Sequence, residues 1–327
     1  MSEPISIPTA QPPGAWRRLM RNRVAVVSML ILAGIAFVAI FGPIIFPYSP
    51  EKVTPHSLHP PSWLTPDAAH VKMDIERGGA VAPWQHPFGT DMNGRDVFSR
   101  VIQGARVSLI VGLCGALVSF FIGTTYGLIA GYVGGRTDNV MMRFIEMLHS
   151  VPRLIIVIVA IFTFAPWLEG FLHRAMPSVE GYAKIMILIL CLGLIEWLAM
   201  ARIVRGQVLA LKEQQFVLAA RALGQSHTRI LLRHLLPNLI GVIVVYLTLT
   251  IPAVILDESF LSFLGLGIND PQASWGSLLS DGKNVINPIH SYWWLLLFPA
   301  AAMSLTLVAL NFLGDALRDA LDPRARR

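Results

Sequence analysis

The chain has 327 residues, of which 54% are hydrophobic and 14% charged, and its mean hydropathy is +0.59. Soluble domains carry about 25% charged residues, so this chain has too little charge to wet the surface of a water-soluble fold. A cytosolic enzyme, a secreted disulfide scaffold and a disordered regulator are excluded before any motif is read. The formal net charge of +6 acquires meaning only from its distribution along the chain.

Residues 1–23 form a polar tail ending in Arg17, Arg18, Arg21 and Arg23. The uncharged run Val24–Phe46 follows, longer than the roughly 18–20 residues that cross a bilayer. A cleavable signal core has about 7–15 apolar residues, so residues 24–46 are predicted to be a retained span. Residues 47–106 are hydrophilic, with Pro50, Pro55, His56, His59, Pro60 and Pro61 near the start, and lack the apolar residues for a separate core. Within them, Gly89-Thr-Asp-Met-Asn-Gly94-Arg-Asp96 reads as a turn cluster. Asp91 and Asp96 can accept backbone N–H groups there, and Arg95 can pair with a carboxylate.

The next run, Val107–Tyr132, again exceeds a membrane span, and Gly131, Gly134 and Gly135 with Arg136 and Asp138 form a turn after it. Val140, Phe144, Met147 and Leu148 recur at helical spacing, predicting an interfacial helix over Asn139–His149. Leu154–Leu168 and Ile185–Ala201 are shorter, and become long enough to cross once Arg153 and Arg202 extend to the interface. Leu235–Leu256 and Tyr292–Leu313 complete an all-α, polytopic membrane protein with six transmembrane helices. Residues 107–314 hold five of them around a loop at 202–237, and residues 315–327 form a tail.

With the N-terminus inside, 17 of the 26 Lys and Arg fall on inner segments and 9 on outer ones, at about twofold higher density inside. Both termini are therefore expected in the cytoplasm. The inner segments total +10, the outer ones −3 and the spans −1, so the basic balance records topology and does not point to nucleic acid.

Glu196 stands inside the fourth predicted span, where a carboxylate is a functional candidate. Pairing with Arg202 or Arg205 near the inner surface is the favoured reading, and lining a pore is the alternative. Asp257 and Glu258, at the outer end of the fifth span, are expected to be solvated. Cys114 and Cys191 lie in apolar runs and read as small core residues. His56 with His59, and Glu146 with His149, lack a full metal-ligand pattern. The segment from Gly276 to Lys283 lacks the spacing and the Ser or Thr of a phosphate loop, so neither metal nor nucleotide is assigned to the chain.

The loop between spans four and five is the most informative segment. It contains Arg202-Ile-Val-Arg-Gly206, Phe216-Val-Leu-Ala-Ala-Arg-Ala-Leu-Gly224 and Arg229-Ile-Leu-Leu-Arg-His-Leu-Leu-Pro237. The pattern predicts two short helices broken near Gly224. Ala219, Ala220 and Ala222 permit close approach to a partner, Gly224 allows a sharp turn, and Arg221, Arg229, Arg233 and His234 give a basic face.

Through Ala219, Ala220, Gly224, Ile230 and Pro237 this loop resembles the motif by which permeases of bacterial ATP-binding cassette importers dock on their ATPase. Leu218 stands at that motif's acidic position. Three further segments resemble the second permease of dipeptide and oligopeptide importers: His86 to Arg100, Glu258 to Gly267 with Ser274-Trp-Gly276, and Gly314 to Pro323. The stretch 62–83 has no counterpart and reads as an outer insertion. The resemblance implies a bacterial inner-membrane permease for di- or oligopeptides that is not an enzyme. Nickel chelates, glutathione and peptide antibiotics are the alternative cargoes of the branch. Implied partners are a second, homologous permease, one or two cytoplasmic ATPases that carry ATP and Mg, an extracytoplasmic binding protein and lipid, with no cofactor on this chain. The resemblance assigns ATPase coupling to Ala219, Ala220, Arg221, Ala222, Leu223 and Gly224. It places Gly89, Thr90, Asp91, Gly94, Arg95 and Asp96 on a rim facing the binding protein. The competing readings are an ion-coupled secondary transporter with Glu196 as its coupling carboxylate, and an intramembrane enzyme, whose metal or nucleophile constellation is absent from the sequence.

Overall fold

The computed structural model describes residues 15–46, 49–64, 85–175, 182–286 and 291–321. Residues 65–83 of the expected insertion lie outside these. The described residues form α1 (Ala15–Arg21), α2 (Arg23–Ile45), α3 (Val97–Val133), α4 (Gly135–His149), α5 (Arg153–Ala175) and α6 (Ala183–Leu211). After them come α7 (Gln215–Ala222), α8 (His227–Phe263), α9 (Trp275–Val285) and α10 (Trp294–Leu321). The architecture is all-helical, and among the described residues α2, α3, α5, α6, α8 and α10 are the six helices long and apolar enough to cross a membrane.

Local chemistry sets where these helices begin. The Asn22 side chain accepts from the backbone N–H groups of Val24 and Ala25 and caps α2. Asp96 caps α3 by accepting from Ser99 N at 2.7 Å, so this helix starts ten residues before the apolar run at Val107. At the start of α9, Ser274 and Ser277 form a reciprocal capping box.

The bundle is organised around the pair α3 and α6, which run parallel: Gly115, Gly123, Gly127 and Gly131 of α3 meet Ile189, Met200, Val204 and Val208 of α6 in that order. Glycines on α3 let the two backbones meet: a Cβ on Gly127 would lie 2.5 Å from the Ala201 carbonyl oxygen. Such close approach is how helices associate in a membrane, where apolar side chains gain little from leaving lipid. At one end of this pair, Val107, Val111, Ile187, Leu188, Leu192, Val254 and Leu261 form a core with α5 and α8. At the other end, Leu128, Met200, Val204 and Val208 pack with Val217 and Ala220 of α7 and with Ile230, Leu235 and Leu239 of α8. These are called below the Arg100 end and the Gly224 end. The second helix expected in the loop is not separate: it runs through a π-helical turn at Leu231–Leu235 straight into α8.

The predicted interfacial helix is corrected. α4 packs along the bundle, with Ile145 buried among Ile122, Tyr126, Trp197, Leu198 and Ala201, and the Tyr126 hydroxyl donates to the Met141 carbonyl at 2.9 Å. It therefore climbs beside α3 and α6 from the Gly224 end, and the Ser150-Val151-Pro152 break joins it to α5. A proline disfavours helical backbone in the residue before it, which accounts for the interruption. Consequently Arg153 starts α5 part-way up the bundle rather than at its end.

Candidate functional site: a clamp, a charged cluster and a docking helix

The clamp lies at the Arg100 end. Asp91 Oδ1 accepts from the backbone N–H groups of Asn93 and Arg95, while Oδ2 accepts from Arg95 Nε at 2.8 Å and from Arg100 at 2.6 Å. Arg100, only 1% exposed, also donates to Asp270 at 2.9 Å and to Asp281 at 3.1 Å. Asp96 meets His86 Nδ1 at 3.0 Å in addition to capping α3. Thr90 exchanges backbone and side-chain hydrogen bonds with His59, and the Trp294 indole donates to its carbonyl. One buried arginine thus ties the 89–96 turn, the segment before α9, α9 itself and α3 into one body. The expected rim is corrected accordingly: Gly89, Thr90, Asp91, Gly94, Arg95 and Asp96 are all buried within the chain. Of this turn, Met92 and Asn93 are the residues exposed, and Asp270 and Asp281 stand half-exposed beside it. Burial pushes the Asp281 carboxyl above its ordinary range, against the opposing pull of Arg100.

The charged cluster corrects the reading of Glu196. Its cation is Arg153, 3.4 Å away, whose second guanidinium nitrogen donates to Asp257 at 3.0 Å. Arg205 instead forms a two-point pair with Asp138 on α4, and Arg202 lines an open groove with Arg143, Glu146 and Asn139. Neither carboxylate expected at the outer end of the fifth span is solvated. Asp257 is buried against Arg153, and fully buried Glu258 accepts from the hydroxyls of Ser108 at 3.0 Å and Ser262 at 2.8 Å.

The third part is α7, which carries the loop motif noted in the sequence. Val217 and Ala220 face the bundle and are buried, whereas Phe216, Leu218, Ala219, Arg221, Ala222 and Leu223 are exposed, Leu223 to 80%. Its end is a Schellman closure: Gln225 N donates to the Ala220 carbonyl and Gly224 N to that of Arg221, with Gly224 at φ +71°. A Cβ at Gly224 would meet nothing within 4 Å, so the requirement there is conformational. Beyond the packing of Val217 and Ala220, Tyr132 links α7 to α3 and α8. Arg221 stacks over the Tyr132 ring at 5.1 Å, and the Tyr132 hydroxyl lies 2.8 Å from His227 Nδ1 at the start of α8.

Sequence reasoning did not single out Arg100, Asp270, Asp281, Tyr132 or His227. Arg100 carried one signal: a charged residue a few positions ahead of a membrane span, in reach of a turn that already held two aspartates. Tyr132 and His227 are 95 residues apart, and no local pattern joins them.

Residues 123–327 match the family described as binding-protein-dependent transport system inner membrane component, and residues 14–61 match the N-terminal TM domain of oligopeptide transport permease C. The dipeptide transport system permease protein DppC of Bacillus subtilis is 44% identical over 96% of this chain and 86% of its own length. The oligopeptide transport system permease protein OppC of Haemophilus influenzae is 43% identical over 95% of this chain and 88% of its own. A chain from inward-facing structures of the MetNI methionine ABC transporter matches 68% of this chain and 96% of its own at 16% identity, with a TM-score of 0.49. The chain belongs to the family of binding-protein-dependent transport system inner membrane components, in its peptide-permease branch. It is a multi-pass inner-membrane subunit and is not itself catalytic. That membership removes the ground for an ion-coupled carrier, and Glu196 is already paired with Arg153.

Proposed function

We propose that this chain is a permease subunit of an ABC importer that moves di- and oligopeptides across the inner membrane, with its Gly224 end and both termini in the cytoplasm. The observation that carries the reading is α7: a short helix anchored by Val217 and Ala220 that presents Phe216, Leu218 and Leu223 to the outside. Exposed apolar side chains on a basic cytoplasmic element are what a docking surface requires, and the excess of Lys and Arg on the same side supports the orientation. In this reading residues Ala219 to Gly224 seat in a groove of the ATPase, which holds ATP and Mg, and the chain itself needs no cofactor. A second, related permease supplies the other wall of the path. The binding protein settles on the opposite end, where Met92, Asn93, Asp270 and Asp281 are the groups on offer and the buried clamp keeps them in place.

Movement follows from the links described above. Displacing α7 pulls on Tyr132 through Arg221 and on α8 through His227, so a docked ATPase acts at once on α3 and α8. Two states that differ in how α7 fits the ATPase suffice to shift the spans between inward-open and outward-open arrangements.

The test uses the complete complex with both permeases, the ATPase and the binding protein. Leu223→Cys should cross-link to a cysteine placed in the ATPase groove, and Gly224→Trp should abolish peptide uptake while leaving the subunit in the membrane. Absence of any cross-link together with full uptake by Gly224→Trp contradicts the reading.

A further inference from the structure

Depth in the bilayer gives the Arg153, Glu196 and Asp257 cluster its meaning. On the α3 and α6 contact, Gly193 faces Gly115 and Val118, and Gly123 faces Met200, so Glu196 is level with the residues around Ser119. Ser119 stands about 18–20 Å from either end of the run Val107–Tyr132, counting 1.5 Å per residue. Glu196 therefore sits near the middle of the membrane. Arg153 is at its level because α4 has carried the chain up the bundle before α5 begins. Asp257 reaches the same guanidinium from α8.

Within the chain the two carboxylates are nearly covered, at 14% and 11% exposure, whereas the Arg153 side chain is 54% exposed. Although it is paired with two carboxylates, a guanidinium open to that extent is disfavoured against hydrocarbon at mid-depth, where charged side chains face a bundle interior or a water-filled cavity. The face that bears Arg153 must then meet water or another subunit. A face that opens a guanidinium at mid-membrane suits the wall of a path, and the cluster has one carboxylate more than its single cation.

We propose that Arg153, Glu196 and Asp257 form a station on the wall of the translocation path that binds the free α-ammonium group of a passing peptide. This rests on the peptide-importer reading given above. The ammonium group takes the place of one arm of Arg153 on Glu196 or Asp257, and the released guanidinium is free to meet the peptide carboxylate. Exchange of one charge-assisted hydrogen bond for another keeps each group paired, so binding is weak enough for the peptide to leave.

The experiment has two arms on the complete complex in proteoliposomes, with Cys114 and Cys191 replaced by alanine. In the first, Arg153→Cys is treated with a membrane-impermeant, positively charged thiol reagent from either side. Labelling is expected from at least one side, slowed by alanyl-alanine. No labelling from either side in any nucleotide state would place the cluster in a sealed contact between permeases and overturn the proposal. In the second, Glu196→Gln and Asp257→Asn are each expected to raise the KM for alanyl-alanine uptake by about 10-fold, the worth of a hydrogen bond to a charged group, with ATP hydrolysis by the complex retained. An unchanged KM in both variants, or a loss confined to the maximal rate, also overturns it. If the unsubstituted complex imports no peptide, the functional reading fails instead. The labelling arm without peptide still reports whether Arg153 faces water.

Discussion

The Tyr132 hydroxyl lies 2.8 Å from Nδ1 of His227, joining the last turn of α3 to the first turn of α8, while the Tyr132 ring carries Arg221 of α7 on its face. Three elements, α3, α7 and α8, are thereby fastened at one aromatic side chain.

Tyr132→Phe keeps the ring and the Arg221 contact and removes only the hydroxyl. The lost hydrogen bond is worth about 0.5–1.5 kcal/mol, too little to unfold the chain. We expect normal amounts of complex in the membrane and a several-fold fall in peptide imported per ATP hydrolysed, measured in proteoliposomes. Tyr132→Ala, which also removes the ring under Arg221, is expected to uncouple more severely.

Gly127 has no room for a side chain. Its Cβ would fall 2.5 Å from a backbone oxygen and 2.8 Å from Val204 Cβ, neither of which can rotate away. Gly127→Leu must therefore part α3 and α6, at a cost of about 1–3 kcal/mol or more. A lower midpoint of thermal unfolding in detergent and reduced yield from the membrane are the expected results.

Arg100 bridges three carboxylates from the turn, the segment before α9 and α9 itself. Removing one partner of a buried ionic group costs about 3–5 kcal/mol because the remaining charges are left uncompensated. Arg100→Ala should expose the 85–96 segment and α9 to protease in intact membranes. Arg100→Lys offers a point charge without the planar fork and should recover only part of the protection.

Glu258 is a buried carboxylate surrounded by serine hydroxyls, those of Ser108, Ser259, Ser262 and Ser274. Glu258→Gln preserves an acceptor and should be tolerated. Glu258→Leu leaves the hydroxyls unpartnered, at about 1–3 kcal/mol for each orphaned group. The two variants are expected to differ clearly in thermal stability.

The run lengths and the placement of charge were enough to read the all-helical class and the six spans, because a bilayer requires long uncharged segments whatever the tertiary contacts. The turn at Gly224 was legible for the same local reason, since a positive φ favours glycine. Partner choice was not legible. Glu196 had Arg202 and Arg205 within ten residues on its own helix, yet its cation comes from α5, because α4 lifts Arg153 to its level and Asp138 takes Arg205. The helical spacing of Asn139–His149 was visible, but an amphipathic stripe does not state whether it faces lipid headgroups or the groove between α3 and α6. The turn at 89–96 carried the polar residues of a surface, and their burial follows from Arg100, which the linear pattern places in the adjoining helix.

The central claim, that this chain imports peptides under power supplied by a docked ATPase, is tested most directly by uptake of a radiolabelled dipeptide into proteoliposomes holding the complete complex. We expect accumulation that requires ATP and the binding protein, persists when an uncoupler collapses ion gradients, and disappears in Gly224→Trp. Accumulation that continues without ATP, or that an uncoupler abolishes while ATP is held constant, would contradict the account.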